Sequence, residues 1–265
     1  GLKSSHELQS YFLKRVEKIL QANGKKMIGW DEILEGGLAP EASVMSWRGL
    51  EGGIEAAKLG HNVVMSPNDY VYIDLLQGDP IVEPDQTSYK RVRLQKTYSF
   101  EPVPEGIDPK YILGGQANLW TEKVPTIRQA EYMSFPRAWA TADIYWSPKD
   151  SKNWPAFISR MEKHMERADF AGRNYARSAF DAIVTASLEE GKLIATVTTE
   201  IDGLDVYYTL NETLPDAYTP RYTQPLEIPE GPVTLKVVTY RDGRPVGKMI
   251  ALPREELMRR AGQKK

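Results

Sequence analysis

Four short apolar runs constrain the first two thirds of this chain. Residues 27–30, 44–47, 63–65 and 111–113 are each bounded by glycine, proline or polar residues, as buried strands are. The second and third are separated by residues 50–59, closed by Gly60, which suits a crossover helix. Parallel strands need such a crossover because no tight turn can join them, so the grammar is that of a parallel sheet. Upstream, Ser4 and Glu7 have capping-box spacing, and Leu8, Tyr11, Phe12, Val16, Ile19 and Leu20 recur at helical intervals until Asn23-Gly24. This predicts an amphipathic helix with those residues on its buried face. Two further helices are predicted at 126–146, kinked or split by Pro136, and at 154–170, opened by Asn153 with Pro155 in the first turn.

From about Asp181 the apolar period changes to two, at 193–197, 206–210 and 233–238, with Asp202-Gly203, Pro229-Glu230-Gly231 and Asp242-Gly243 between. That predicts a small antiparallel β domain, with the boundary near 175–183. The end, 254–265, is basic and polar and is expected to fray or form a short surface helix.

Of the 265 residues 41% are hydrophobic, enough for a real core, and the formal net charge is −2 with Lys and Arg scattered. Nucleic acid is therefore not an expected partner. The absence of cysteine excludes disulfides, thiolate metal sites and cysteine nucleophiles. No apolar run reaches the roughly 18 residues of a membrane span, and residues 1–5 do not read as a signal peptide. The chain opens on Gly1, not methionine, and is expected to be an excised or processed piece. His6, His61 and His164 have no partners at ligand spacing, Gly36-Gly37 and Gly52-Gly53 lack the Lys-Ser/Thr of a phosphate loop, and Asn211-Glu212-Thr213 reads as a turn. No metal, nucleotide or other cofactor is predicted.

Chemistry in parallel barrels sits at the C-terminal ends of the strands. There the chain places Trp30-Asp31-Glu32, Trp47-Arg48-Gly49, residues 70–74 and Trp120-Thr121-Glu122, so three of the six tryptophans hold equivalent positions. Aromatic faces interleaved with carboxylates suit sugars: a pyranose stacks its apolar face on a ring, and its hydroxyls donate to acids. Gly29-Trp30-Asp31-Glu32, Met45-Ser46-Trp47-Arg48-Gly49, Tyr72-Ile73-Asp74 and the run from Gly114 to Glu122 together resemble the second half of the catalytic barrel of glycoside hydrolase family 20, the β-N-acetylhexosaminidases. The resemblance covers about residues 1–175, and residues 181–253 look like the β-sandwich that follows the barrel in many members.

The fold class so implied is α/β, the C-terminal half of a (β/α)8 barrel over 1–180, then a small antiparallel β-sandwich with a polar tail over 181–265. The resemblance implies hydrolysis of terminal N-acetyl-β-D-hexosamine residues from glycans ending in N-acetylglucosamine or N-acetylgalactosamine, with the substrate's own acetamido group as nucleophile. Trp30, Trp47 and Trp120 would wall the sugar pocket, Tyr72 would hold the acetamido oxygen, and Asp74 and Glu122 would bind hydroxyls. It further implies an extracytoplasmic location (periplasmic, secreted or lysosomal).

The chain departs from the family in two places. The general-acid Glu and its Asp partner belong to a His-x-Gly-Gly-Asp-Glu motif that is absent here. The chain is thus expected to be a fragment that is inactive alone, needs the N-terminal half of the barrel, and self-associates through exposed edges. The competing reading is a non-catalytic sugar-binding or interaction fragment. Asp31 and Glu32 do not replace the pair readily, since neighbours on a strand face opposite ways unless the chain turns; an anchoring role is expected. Second, the stretch 75–110, where family members often carry another sugar-stacking Trp, has only Tyr89, Tyr98 and Phe100.

Overall fold

The structure, a computed structural model, describes residues 3–84 and 90–262. Tyr89 and residues 263–265 of the predicted tail lie outside the described residues. In chain order the elements are α1 (Ser5–Ala22), β1 (Ile28–Trp30), β2 (Ser43–Ser46), α2 (Glu51–Lys58), β3 (Val63–Met65), α3 (Asn68–Val71), α4 (Leu94–Tyr98), β4 (Ile112–Gly115), α5 (Ile127–Ser134), α6 (Arg137–Trp146) and α7 (Trp154–Phe170). There follow β5 (Ile183–Glu189), β6 (Lys192–Thr198), β7 (Asp205–Thr209), β8 (Leu226–Glu227), β9 (Thr234–Arg241), β10 (Arg244–Pro245), β11 (Ile250–Pro253) and α8 (Arg254–Gly262). The chain divides into two compact units.

The first unit takes the chain up to Asp74, Lys96–Pro125 and Arg137–Lys152. Its sheet is the four apolar runs in sequence order, β1-β2-β3-β4, all parallel, with Trp30 opposite Met45 and Ser46 opposite Met65. This is the partial barrel of the α/β class. Val44, Val63 and Met65 are fully buried in it. Helix α2 seats on the sheet because Gly52 and Gly53 carry no side chain: a Cβ on Gly53 would come 2.7 Å from the Met65 sulfur. Gly60, at φ +87, then ends the helix in a Schellman turn, its amide donating to Ala57 O and that of His61 to Ala56 O.

Helix α1 departs from its expected packing. Ser4 caps it as predicted, accepting from the Glu7 amide, but Glu7 reaches back to the Lys3 amide at 2.6 Å rather than to that of Ser4. The buried face carries Ser10 and Glu17, which bond Gly37 O at 2.6 Å and the Glu41 amide at 2.8 Å. Leu8, Tyr11, Phe12 and Ile19 of the apolar stripe stand exposed. Periodicity reports that a helix has an apolar face, not which neighbour covers it.

The second unit takes Leu75–Gln95, Thr126–Pro136 and the chain from Asn153. Helix α7 begins at the Asn153 cap and buries Phe157, Ile158, Met161 and Met165. In the β domain β5-β6-β8 form one antiparallel sheet and β9, paired with β7, β10 and β11, forms another. Ala182, Val184, Leu193, Val197, Leu235, Val237, Ile250 and Leu252 make its core. Strand β5 answers β6 across a Glu190-Gly191 turn, both residues at positive φ, and the Asp242-Gly243 turn joining β9 to β10 does the same. The C-terminal segment is no fraying tail over its described residues. Leu257 of α8 is fully buried, and Arg260 reaches Asp79 with two bonds of 2.7 and 2.9 Å. Among the described residues no helix is long and apolar enough to cross a membrane.

Asp79 and Arg260 are both nearly buried, so removing one charge strands the other. Asp79→Ala should cost about 3 kcal/mol in urea unfolding. Glu227→Ala, which removes the partner of the exposed Lys192, should cost under about 1 kcal/mol.

Candidate active site

Strand ends and the turns after them bring the predicted aromatics together. Trp30 ends β1, Trp47 follows β2, Tyr72 follows α3 beyond β3, and Trp120 follows β4. Tyr72 stacks on Trp47 with centroids 6.1 Å apart and planes 14° from parallel, and meets Trp120 edge-on at 6.1 Å. Trp30 lies 5.8 Å from Trp120. These four rings, with Gly29, Ile33, Gln9, Glu32 and Glu122, line one open cavity of about 680 Å³, room enough for a sugar ring.

Backbone ties behind the rings hold them in register. The Gln116 amide donates to Met65 O, that of Asn118 to Val71 O, and that of Ile73 to Asn118 O, which carries the parallel pairing past the strand ends to Tyr72. Beneath this, buried Asn118 donates to Ser66 Oγ at 2.5 Å, Ser66 Oγ donates to Gln116 O at 3.0 Å, and the side-chain Nε2 of Gln116 donates to Asn118 Oδ1. Arg137, wholly buried, donates to Ile73 O at 2.6 Å and so fixes the segment between Tyr72 and Asp74.

Asp74 does not line the cavity. One of its carboxylate oxygens is buried with no hydrogen-bond partner among the described residues. Burial pushes its carboxyl above the ordinary range, the Glu122 carboxylate adding to this while its own backbone amide and the Arg137 guanidinium pull back. Glu122 and Trp120 are the exposed side of the site.

The chain turns immediately after Trp30 into a 3₁₀ segment, Asp31–Leu34. Strand alternation therefore lapses, and Asp31 and Glu32 both reach residue 47 and its neighbour. Asp31, 1% exposed, accepts from the Trp47 amide at 2.9 Å, the Arg48 amide at 3.0 Å and Arg48 Nε at 2.6 Å. Glu32 accepts from Trp47 Nε1 on both oxygens at 3.0 Å. The anchoring role expected of the pair takes this form. Gln9 on α1 is a lining residue that nothing in the pattern of the chain singled out; its amide lies 3.5 Å from Glu32 O.

Tyr98 and Phe100 are buried, Phe100 with Tyr70 stacked on it at 5.2 Å, so neither is placed as a sugar platform. His6 pairs with Glu35, His61 faces Ala42 O, and His164 lies beside Arg167. Asn211 accepts from Thr213 N and Oγ1, closing the predicted turn.

A family model described as the catalytic domain of glycosyl hydrolase family 20 matches residues 1–149, and one described as Fn3 associated matches 195–251. A beta-hexosaminidase of Porphyromonas gingivalis is 41% identical over 249 residues, covering 90% of this chain and 32% of that protein. A Vibrio furnissii beta-hexosaminidase is 34% identical over 148 residues, 54% of this chain and 24% of its own. Among solved structures, the exo beta-N-acetylglucosaminidase of Vibrio harveyi in complex with N-acetylglucosamine matches at TM-score 0.60 and 34% identity, over 66% of this chain and 28% of that one. The beta-N-acetylhexosaminidase of Streptomyces coelicolor matches at 0.59 and 27%, over 64% and 36%. The chain spans about a third of the length of the P. gingivalis relative.

The Asp74 shift has a measurable consequence. Its unfolded form ionises first, so stability falls as pH rises above about 4, through the interval up to the raised folded value, and is level beyond it. Asp74→Asn removes this contribution. The melting temperature of wild type minus that of the variant should therefore be smaller at pH 7 than at pH 4.

Proposed function

Because the chain belongs to glycosyl hydrolase family 20, we propose that it forms part of a β-N-acetylhexosaminidase that removes terminal β-linked N-acetylhexosamine by retaining, substrate-assisted hydrolysis. In this reading the acetamido carbonyl oxygen of the bound sugar attacks the anomeric carbon. The glycosidic oxygen leaves with a proton from a carboxylic acid, and water opens the oxazolinium ion. Tyr72 hydrogen-bonds the acetamido oxygen and holds it in line, which is catalysis by positioning. Trp30, Trp47 and Trp120 wall the acetamido methyl and the sugar ring, while Glu122, the acid that lines the cavity with them, accepts bonds from hydroxyls.

The observation that carries the reading is the aromatic box: Tyr72 flanked by the parallel face of Trp47 and the edge of Trp120, in one cavity with Glu122. An apolar slot with a phenol on its wall suits an N-acetyl group better than a bare hydroxyl. The general acid and its Asp partner are contributed by residues outside this chain, since no Gly-Gly-Asp-Glu occurs in it. In support, the stripe of α1 is uncovered, and β1 and β4 each have a single strand neighbour among the described residues. A parallel sheet with both edges open and an apolar helix face beside it is incomplete as a barrel.

The test is hydrolysis of a chromogenic aryl N-acetyl-β-glucosaminide by the purified 265-residue chain. Loss of a general acid alone forfeits roughly 10²–10⁴-fold in rate, so no turnover is expected until the other half of the barrel is supplied. N-acetylglucosamine, and not glucose, should quench tryptophan fluorescence, and Trp120→Ala should weaken that binding about tenfold. Turnover by the chain alone that vanishes in Glu32→Gln would overturn the assignment of the acid to residues outside it.

A further inference from the structure

We propose that Glu32 is a positioning residue of this site: its carboxylate holds the Trp47 indole in the plane on which Tyr72 stacks. The proposal rests on the reading of the cavity as an N-acetylhexosamine pocket, and it names the group that gives one wall of that pocket its orientation.

An indole has one polar atom, a donor, and two flat faces that packing alone does not tell apart. Turning the Trp47 ring over would leave an apolar wall of similar area but carry Nε1 to the other side. What distinguishes the two orientations is the acceptor, and Glu32 takes the Trp47 N–H with both oxygens, each at 3.0 Å. A charged acceptor makes this bond about twice as strong as a neutral one. The tie also acts on a residue whose backbone is already fixed, since Asp31 accepts the amides of Trp47 and Arg48. Successive carboxylates on one 3₁₀ turn therefore hold residue 47 twice, at the main chain and at the ring.

Other groups leave Glu32 to this task. The nearby cation, Arg48, is spent on Asp31 at 2.6 Å and on Glu35 at 2.8 Å. Glu32 is only half-buried and lines the cavity, so its carboxylate is not a core charge that must be paired for folding. The ring it holds lies 14° from parallel to Tyr72. A tilt of Trp47 would displace the phenol that the mechanism needs in line with the acetamido oxygen.

The experiment compares Glu32→Leu, Glu32→Gln, Trp47→Phe and the Trp47→Phe/Glu32→Leu double variant in the 265-residue chain. It reads N-acetylglucosamine affinity and the indole N–H resonances, the Trp47 signal being assigned by its loss in Trp47→Phe. Glu32→Leu should weaken the sugar about tenfold and shift the Trp47 N–H toward that of a solvent-bonded indole. Glu32→Gln, which keeps an acceptor oxygen, should recover most of the affinity. In Trp47→Phe there is no N–H to hold, so adding Glu32→Leu should change nothing further. A tenfold loss from Glu32→Leu that persists in the Trp47→Phe background would overturn the proposal, and so would an unmoved indole resonance. Failure of the pocket reading is distinct: the folded wild type would then not bind N-acetylglucosamine at all, while the indole shift in Glu32→Leu would still appear.

Discussion

The buried carboxylate of Asp31 is the constraint on which the site depends. A charge that is 1% exposed must be answered by donors, and three are gathered on it: two consecutive main-chain amides and one guanidinium nitrogen. Meeting that requirement locks the turn after β1 to the end of β2. It also sets how close α2 comes, because a Cβ on Gly52 would stand 2.8 Å from that of Asp31. With these two strand ends fixed, Trp30 and Trp47 cannot drift apart, and Glu32 is delivered to the ring it holds.

The rest of the site follows the same logic of buried polar groups finding partners. Ser66, Gln116 and Asn118 satisfy one another beneath the rings, and Arg137 takes up Ile73 O. Asp74 keeps one buried oxygen without a hydrogen-bond partner among the described residues, and burial pushes its carboxyl above the ordinary range. In the β-rich unit the same rule fastens distant stretches: Glu200 takes Arg93, the Gln95 amide and, through its carbonyl, Trp154 Nε1, and Asp181 takes the Lys248 amide.

Much of this architecture was legible in the sequence. The four apolar runs became the four parallel strands within a residue or two, the Gly60 stop closed α2, and Pro136 fell between α5 and α6. The period-two segments became β6, β7 and β9, because alternation marks a strand with one buried face. Strands β5 and β11 were harder to isolate, since they are defined by partners as much as by pattern: β11 spans four residues and exists through its pairing with β9. The α1 stripe misled for a related reason, its periodicity being real and its cover absent among the described residues.

At the candidate site, residue type and order pointed to Trp30, Trp47, Tyr72, Asp74, Trp120 and Glu122, because aromatics and acids recurring at strand ends are a one-dimensional signal; all of these but Asp74 line one cavity. The placement of Asp31 and Glu32 was not legible. Alternation would have sent them to opposite faces, and only the 3₁₀ turn lets both carboxylates reach the residues just after β2, Asp31 at Trp47 and Arg48 and Glu32 at the Trp47 ring. The sequence by itself determined the parallel grammar, the change to a β domain and the chemical character of the pocket, since these reside in local periodicity and composition. The tertiary structure alone decided which acid holds which tryptophan, that Gln9 joins the pocket and that Asp79 meets Arg260. Those are contacts between residues far apart in the chain, chosen by the need of buried polar groups for partners.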